Sequence, residues 1–228
     1  MLRRGMEEER MRRIKVWDLP VRLFHWVLVA LILAAWVTQY LDRMNLHVWI
    51  GESILTLLLF RVMWGFVGSD TARFGRFLRS PVAALRHLAH LWRREPDREI
   101  GHNAAGGWMV LVMLALIGVQ AGTGLFANDL DDGGDTEGPL MHLVGKDRSD
   151  WLAHIHALNF TLIEAVIVLH VLAIVVYAVL KRHNLVRPMV TGTKLLPADV
   201  VAPRVVNPVW ALVVLAVSFG AVVWVVKL

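Results

Sequence analysis

The sequence predicts an all-α integral membrane protein: a four-helix transmembrane bundle followed by a fifth, C-terminal transmembrane helix. Three observations carry this expectation. The 228 residues are 57% hydrophobic with a mean hydropathy of +0.54, more apolar than a soluble domain of this size. Five stretches, about 21–39, 48–67, 105–126, 156–180 and 209–226, approach the roughly 20 apolar residues of one helical span. Basic residues also alternate between the connections, the mark of positive-inside topology. Five spans and their links leave no room for a soluble catalytic domain.

Residues 1–20 read as a basic cytoplasmic arm holding Arg3, Arg4, Arg10, Arg12, Arg13 and Lys15. Asp18 and Pro20 open the first span, since proline suits a first helical turn. This span reads as a retained helix, because more spans follow and no small-residue cleavage site ends it. Leu41–Leu46 is so short that spans one and two form a tight antiparallel pair. In the basic 68–104 connection, Ser80 and Pro81 predict the N-cap and first turn of a helix over about 80–94. Its leucines and Trp92 recur beside arginines, as on a helix lying along the cytoplasmic membrane surface.

The 127–151 loop, with Asp129, Asp131, Asp132, Asp135, Glu137, Asp147, Asp150 and the Gly133–Gly134 turn, is acidic and expected to be periplasmic. Residues 21–182 form the core, 183–208 a cytoplasmic connection punctuated by prolines, and 209–228 an extra transmembrane helix. The N-terminus is then cytoplasmic and the C-terminus outside. A net charge of +5 and a pI near 10.1 set this topology and do not point to nucleic acid.

Cysteine is absent. That removes disulfides, thiolate zinc sites, iron–sulfur ligation and covalent C-x-x-C-H haem attachment. Any metal or cofactor is therefore held by His, Met, carboxylate or backbone, and ten histidines make imidazole the leading donor. The stretch "HIHALNFTLIEAVIVLH", residues 154–170, sets three of them in a very apolar segment, where ionisable groups are costly and usually functional. At about 1.5 Å and 100° per residue, His156 and His170 share one helix face roughly 21 Å apart. His154 falls on nearly the opposite face and reads as an interfacial bystander.

Topology then pairs the imidazoles by depth. His25 begins the first span on the inner side and matches His170; His47 begins the second on the outer side and matches His156. Two levels, each supplied by one imidazole from each of two helices, suit two six-coordinate haems, because haem iron takes axial ligands on opposite sides of the porphyrin. The fold class is completed as a dihaem bundle. Gly51, one turn after His47, leaves room for a porphyrin. Arg61, on the His47 face at the inner level, either pairs a haem propionate or snorkels to the headgroups. Gly118 and Gly122 read as a small-xxx-small packing pair ahead of haem clearance. His87 and His90 read as interfacial, and His142 and His183 as loop residues facing water. His102, beside Asn103 at the start of the third span, either binds a quinone oxygen or a propionate, or caps the helix. Glu52 and Glu164 read as neutral, hydrogen-bonded acids ahead of proton relays.

Five stretches carry a resemblance: "VWDLPVRLFHW" (16–26), "LHVWIGESILTLLLFRVMWGFVG" (46–68), "GHNAAGGWMV" (101–110), "HIHALNFTLIEAVIVLH" (154–170) and "NLVRPMVTGTK" (184–194). Together they resemble the bacterial cytochrome b561 and nickel–iron hydrogenase cytochrome b family of four-helix dihaem membrane proteins. The resemblance implies His25, His47, His156 and His170 as ligands of two haem b groups. It also implies an electron carrier of a respiratory chain that links the quinone pool to a periplasmic partner, a c-type cytochrome or a hydrogenase-like subunit. The fifth helix departs from that family's four-helix minimum. Such a chain is an electron-transfer subunit of a quinone-linked oxidoreductase, with quinone expected near His102, Asn103 and Arg22, and its assembly includes homo-oligomers among the options. The other classes are a membrane anchor that carries no electrons and a proton-relaying transporter, which would show broken helices or repeated halves.

Overall fold

The computed structural model describes residues 11–90, 92, 97–128 and 136–228. Arg3, Arg4, Arg10, Arg93, Arg94, Asp129, Asp131, Asp132, Asp135 and the Gly133–Gly134 turn lie outside the described residues. In chain order the elements are β1 (Met11–Lys15), α1 (Leu19–Tyr40), α2 (Met44–Val67), α3 (Phe74–Phe77), α4 (Pro81–Ala89), α5 (Ala104–Gly124), α6 (Lys146–Val176), α7 (Val186–Thr191), β2 (Thr193–Pro197) and α8 (Val209–Val225). A π-helical turn, Tyr177–Lys181, prolongs α6. Helices α1, α2, α5 and α6 with its extension are long and apolar enough to cross a membrane. Helix α8 is apolar but shorter, at 17 residues.

The basic connections gather at one end of the bundle, where α1, α5 and α8 begin and α2 and α6 finish. The 41–43 turn and the 125–145 connection form the other, acidic-loop end. Helix α2 is the centre of the packing, lying along α1, α5 and α8. Val21, Phe24 and Leu28 of α1 recur at helical spacing and bury against a core shared with Ile54, Leu58, Phe60 and Trp64 of α2. Ala211, Val214, Ser218 and Val222 of α8 recur in the same way, and Ser218 Oγ reaches Met63 Sδ of α2 at 3.6 Å.

Helix α1 begins where the sequence places it, for a reason that reaches beyond local capping. Asp18 Oδ1 accepts from Val21 N at 2.8 Å, with Pro20 in the first turn. Its Oδ2 accepts from Trp64 Nε1 at 3.0 Å, so one carboxylate caps α1 and anchors the far end of α2. Trp64 is fully buried. Ser80 caps α4 by accepting from Ala83 N at 3.2 Å.

Three expectations are corrected. The fold is not purely helical: β1 and β2 form a two-stranded antiparallel sheet, with Met11 opposite Pro197 and Lys15 opposite Thr193. Residues 11–15 are therefore not a free arm, and the 183–208 connection is a folded cover over the basic end. Ile14 and Leu196 point from this sheet into the core. A five-residue strand rich in arginine has too little apolar alternation to be read without its distant partner. Gly192, at φ +82°, closes α7 in the left-handed conformation that glycine favours. Its carbonyl accepts from both Val16 N and Trp17 N, and an added Cβ would lie 2.8 Å from Arg22 Nη1.

Helix α6 is the second correction, for it begins at Lys146 and not near 156. Polar residues 146–150 fold because Ser149 Oγ donates to Phe126 O at 2.6 Å and Lys146 pairs with Asp150 at 3.1 Å. Third, α4 ends at Ala89, short of residue 94.

Asp18→Ala is expected to cost about 2–4 kcal/mol, combining a lost cap with a stranded buried indole donor. Trp64→Phe, which removes the donor and keeps the cap, should cost less. Unfolding midpoints in detergent check both.

Candidate functional site

The four predicted imidazoles stand at two levels of the bundle. At the acidic-loop end, His47 of α2 faces His156 of α6, with ring centroids 6.1 Å apart and ring planes at 73°. Each ring is oriented by a backbone carbonyl of a different helix. His47 Nδ1 lies 2.9 Å from Ala35 O of α1, and His156 Nδ1 lies 2.9 Å from Gln120 O of α5. A carbonyl only accepts, so both rings carry the proton on Nδ1 and offer the Nε2 lone pair elsewhere. A histidine that binds metal through one ring nitrogen usually donates the other N–H to a carbonyl in this way.

Neighbouring residues hold that geometry. Asn159 Nδ2 donates to Leu116 O at 2.9 Å and to Gln120 Oε1 at 2.7 Å, locking α6 onto α5 one turn from His156. Thr123 Oγ1 sits 3.2 Å from His156 Nδ1. At Gly124 an added Cβ would lie 2.9 Å from Cε1 and 3.2 Å from Nδ1 of His156, so only glycine lets the ring approach the end of α5 so closely. At Gly51 and Gly122 an added Cβ meets nothing within 4 Å. Gly122 is not a packing contact, whereas the Cβ position of Gly118 lies 3.5 Å from Leu58.

At the basic end, His25 and His170 lie within electrostatic reach of each other and, with Arg61, of His102. His25 Nδ1 is buried without a hydrogen-bond partner. The His102 ring sits between Trp17 and Phe77, with centroids 4.7 and 4.8 Å away. Burial, then the Arg61 charge, then His170 and His25 hold its pKa far below the ordinary range, at about 3, so the ring is neutral at physiological pH. Arg61 does not snorkel: it is 2% exposed, and its guanidinium lies over the Phe74 ring at 5.1 Å.

The levels are separated by apolar side chains. Ile163 falls seven residues from both His156 and His170. It shares a narrow apolar slot with Ile32, Met113, Leu116, Ile117, Val166 and Ile167.

The remaining candidates divide. Asn103, not His102, caps α5, through Gly106 N to Oδ1 at 2.7 Å. Arg22 donates from Nη2 to Val190 O, which ties it to the turn that covers the basic end. His87 is more than interfacial. Its Nε2 lies 2.5 Å from Tyr177 Oη, which also accepts from Asn103 Nδ2 at 2.8 Å. The π-helical turn places Tyr177 there, and no local pattern in the sequence announces it. His142 and His154 are exposed, and His90 and His183 half-buried. Glu164 is exposed on α6, while Glu52 is half-buried.

The donor set can be tested for fit. No group of three or more His, Asp or Glu side chains converges on one point among the described residues, so a bare ion has no cage. Paired imidazoles with free Nε2 atoms suit instead a metal held on an axis between them within a planar macrocycle. Two metal–nitrogen bonds of about 2 Å each plus the ring radii give centroids roughly 6 Å apart, the separation of His47 and His156. Helix α6 packs along α5 but makes no extended contact with α1 or α2 among the described residues, which leaves width for a flat group.

Comparison with known proteins agrees with this chemistry. The chain is 25% identical to the "Probable Ni/Fe-hydrogenase B-type cytochrome subunit" of Azotobacter chroococcum mcd 1, over 87% of this chain and 96% of that protein. It is 26% identical to the protein of the same description in Rhodobacter capsulatus, over 86% and 87%. The counterpart in Azotobacter vinelandii is also 26% identical, over 87% and 96%. No solved structure gives a significant match. The family model described as prokaryotic cytochrome b561 matches residues 16–192, most of the chain, and the chain belongs to that family: a multi-pass bacterial membrane protein, a b-type cytochrome that carries haem b and transports electrons.

Proposed function

We propose that the chain carries electrons across the bacterial inner membrane between the quinone pool and a periplasmic redox partner, through two haem b groups ligated by His47 with His156 and by His25 with His170. The observation that supports this best is the outer pair: two imidazoles at 6.1 Å, each with Nδ1 against a backbone carbonyl. Bound haem supplies one-electron exchange between ferric and ferrous iron.

The chain's own residues do the rest. Ala35 and Gln120 carbonyls fix the tautomers of His47 and His156 and raise the basicity of their free nitrogens. Gly51 and Gly124 keep the backbone clear of the ligand level. The Ile32, Ile117 and Ile163 layer excludes water between the levels, so that low dielectric surrounds both. His156 and His170 stand on one unbroken helix, roughly 21 Å apart, which fixes the spacing of the two centres.

The basic end faces the cytoplasm in this reading, by the positive-inside rule. Helix α8 then crosses as a fifth span that ends in the periplasm; its 17 residues reach the lower limit for spanning. Residues 11–20 of the 1–20 arm and 183–208 form the cytoplasmic cover, 21–182 the haem-carrying core and 209–228 the added span. Glu137, Asp147 and Asp150, at the acidic-loop end, offer an electrostatic landing surface for the partner. The relatives are described as hydrogenase cytochrome subunits, which favours a hydrogenase-like partner over a c-type cytochrome. Quinone is read at the basic end near His102, Asn103 and Arg22.

Purified protein reduced with dithionite should show b-type Soret and α bands at about two haems per chain. His156→Ala should remove one haem and spare the other; colourless folded protein, or full haem content in the variant, sinks the reading. Gly124→Ala should displace the His156 ring and weaken the same centre. Gly51→Ala meets no polypeptide atom, so loss of absorbance at that level in the variant would report the macrocycle itself.

A further inference from the structure

Four buried polar atoms lack hydrogen-bond partners among the described residues: Arg22 Nε, His25 Nδ1, Arg61 Nη1 and His102 Nδ1. All belong to the basic end. Buried polar atoms without partners are rare and demand an explanation, and a buried cation without a counter-charge is the most costly case. Arg61 is that case. No carboxylate lies within ion-pairing distance of it among the described residues. Asp18 acts on it electrostatically, but both Asp18 oxygens are committed, to Val21 N and to Trp64 Nε1.

The guanidinium is also held in place. Phe74 lies beneath it at 5.1 Å, and Phe74 itself presses on Gly65, where an added Cβ would lie 2.0 Å from the ring. The same end holds His102 with its orphaned Nδ1, on a ring that feels the Arg61 charge and the electrostatic influence of His170 and His25. A fixed fork of N–H donors recognises a carboxylate, and His102 Nδ1 adds another donor at this end when it carries the ring proton.

We infer that Arg61, with Nδ1 of His102, forms an internal carboxylate site that takes a propionate of the haem held by His25 and His170, and that its charge makes this haem the higher-potential one of the pair. The assignment rests on the haem ligation proposed above. Reduction adds one negative charge, and a cation fixed nearby in low dielectric favours it. At the acidic-loop level no lysine or arginine is buried among the described residues. The asymmetry sets a direction. With haem bound at both pairs, one electron would pass downhill from the centre held by His47 and His156, leaving it oxidised, to the centre held by His25 and His170, leaving it reduced, with no bond or proton exchanged.

The test is potentiometric titration of the intact chain in detergent, comparing the natural protein with Arg61→Gln and Arg61→Lys. The natural protein should titrate in two waves, and His156→Ala should abolish the lower one. Arg61→Gln should lower the upper wave by about tenfold or more in the reduction constant, 59 mV per tenfold for one electron, and leave the lower wave in place. Selective loss of the upper-wave haem would support the inference equally. An unmoved upper wave, or a shift confined to the lower one, overturns the inference even when two haems are present; absence of haem in the natural protein would instead overturn the ligation it rests on. If Arg61→Gln does not fold, Arg61→Lys decides: an upper wave below that of the natural protein supports the forked contact, and an unchanged one refutes it. Exchanging chloride for a bulky sulfonate should leave both potentials alone, whereas an upper wave that follows chloride would mean the site takes a free anion and not the propionate.

Discussion

A polar side chain within a bilayer must find its partner inside the protein, because hydrocarbon offers none. That constraint governs this fold. Asp18 meets it by serving two donors at once, and so fastens α1 to α2. Asn159 meets it through a carbonyl and an amide of α5. His47 and His156 meet half of it, with Nδ1 matched and Nε2 left for another use. Arg61 meets it least, for its guanidinium rests on the Phe74 ring while Nη1 has no hydrogen-bond partner within the described residues. The degree to which each polar group is matched therefore separates structural groups from those that await a ligand.

Much of this was legible in the sequence, because helical periodicity converts spacing into depth and face. The separation of His156 from His170 placed two imidazoles on one side of α6, and alternating basic connections told which end each began from. The pairing of His47 with His156 in space follows from that arithmetic. Asp18 and Pro20 marked the start of α1, and Ser80 with Pro81 the start of α4, because capping is a local interaction.

What could not be read depends on contacts between distant segments. Trp64 lies 46 residues from the carboxylate it donates to. Gly124 looks like an ordinary helix-end glycine until the His156 ring is set against it. Tyr177 is turned toward Asn103 by a π-helical turn that no residue pattern signals. The sheet joins residues 11–15 to 193–197 across nearly the whole chain, so neither strand is meaningful alone. The same holds for the 198–208 stretch, which is stitched to the end of α2 where Asp70 and Arg204 exchange backbone and carboxylate bonds and Ser69 accepts from Val206.

The aliphatic layer around Ile163 has an energetic consequence. Its lining side chains carry no donor or acceptor, so they provide no wire for hydrogen ions from one ligand level to the next. On the function proposed, charge crossing there would move as a bare electron, uncompensated, and the bilayer would act as the dielectric of a capacitor that each passage charges or discharges. At about 2.3 kcal/mol per elementary charge per 100 mV, the membrane voltage itself would then become a term in the driving force, opposing or assisting turnover according to the state of energisation of the cell.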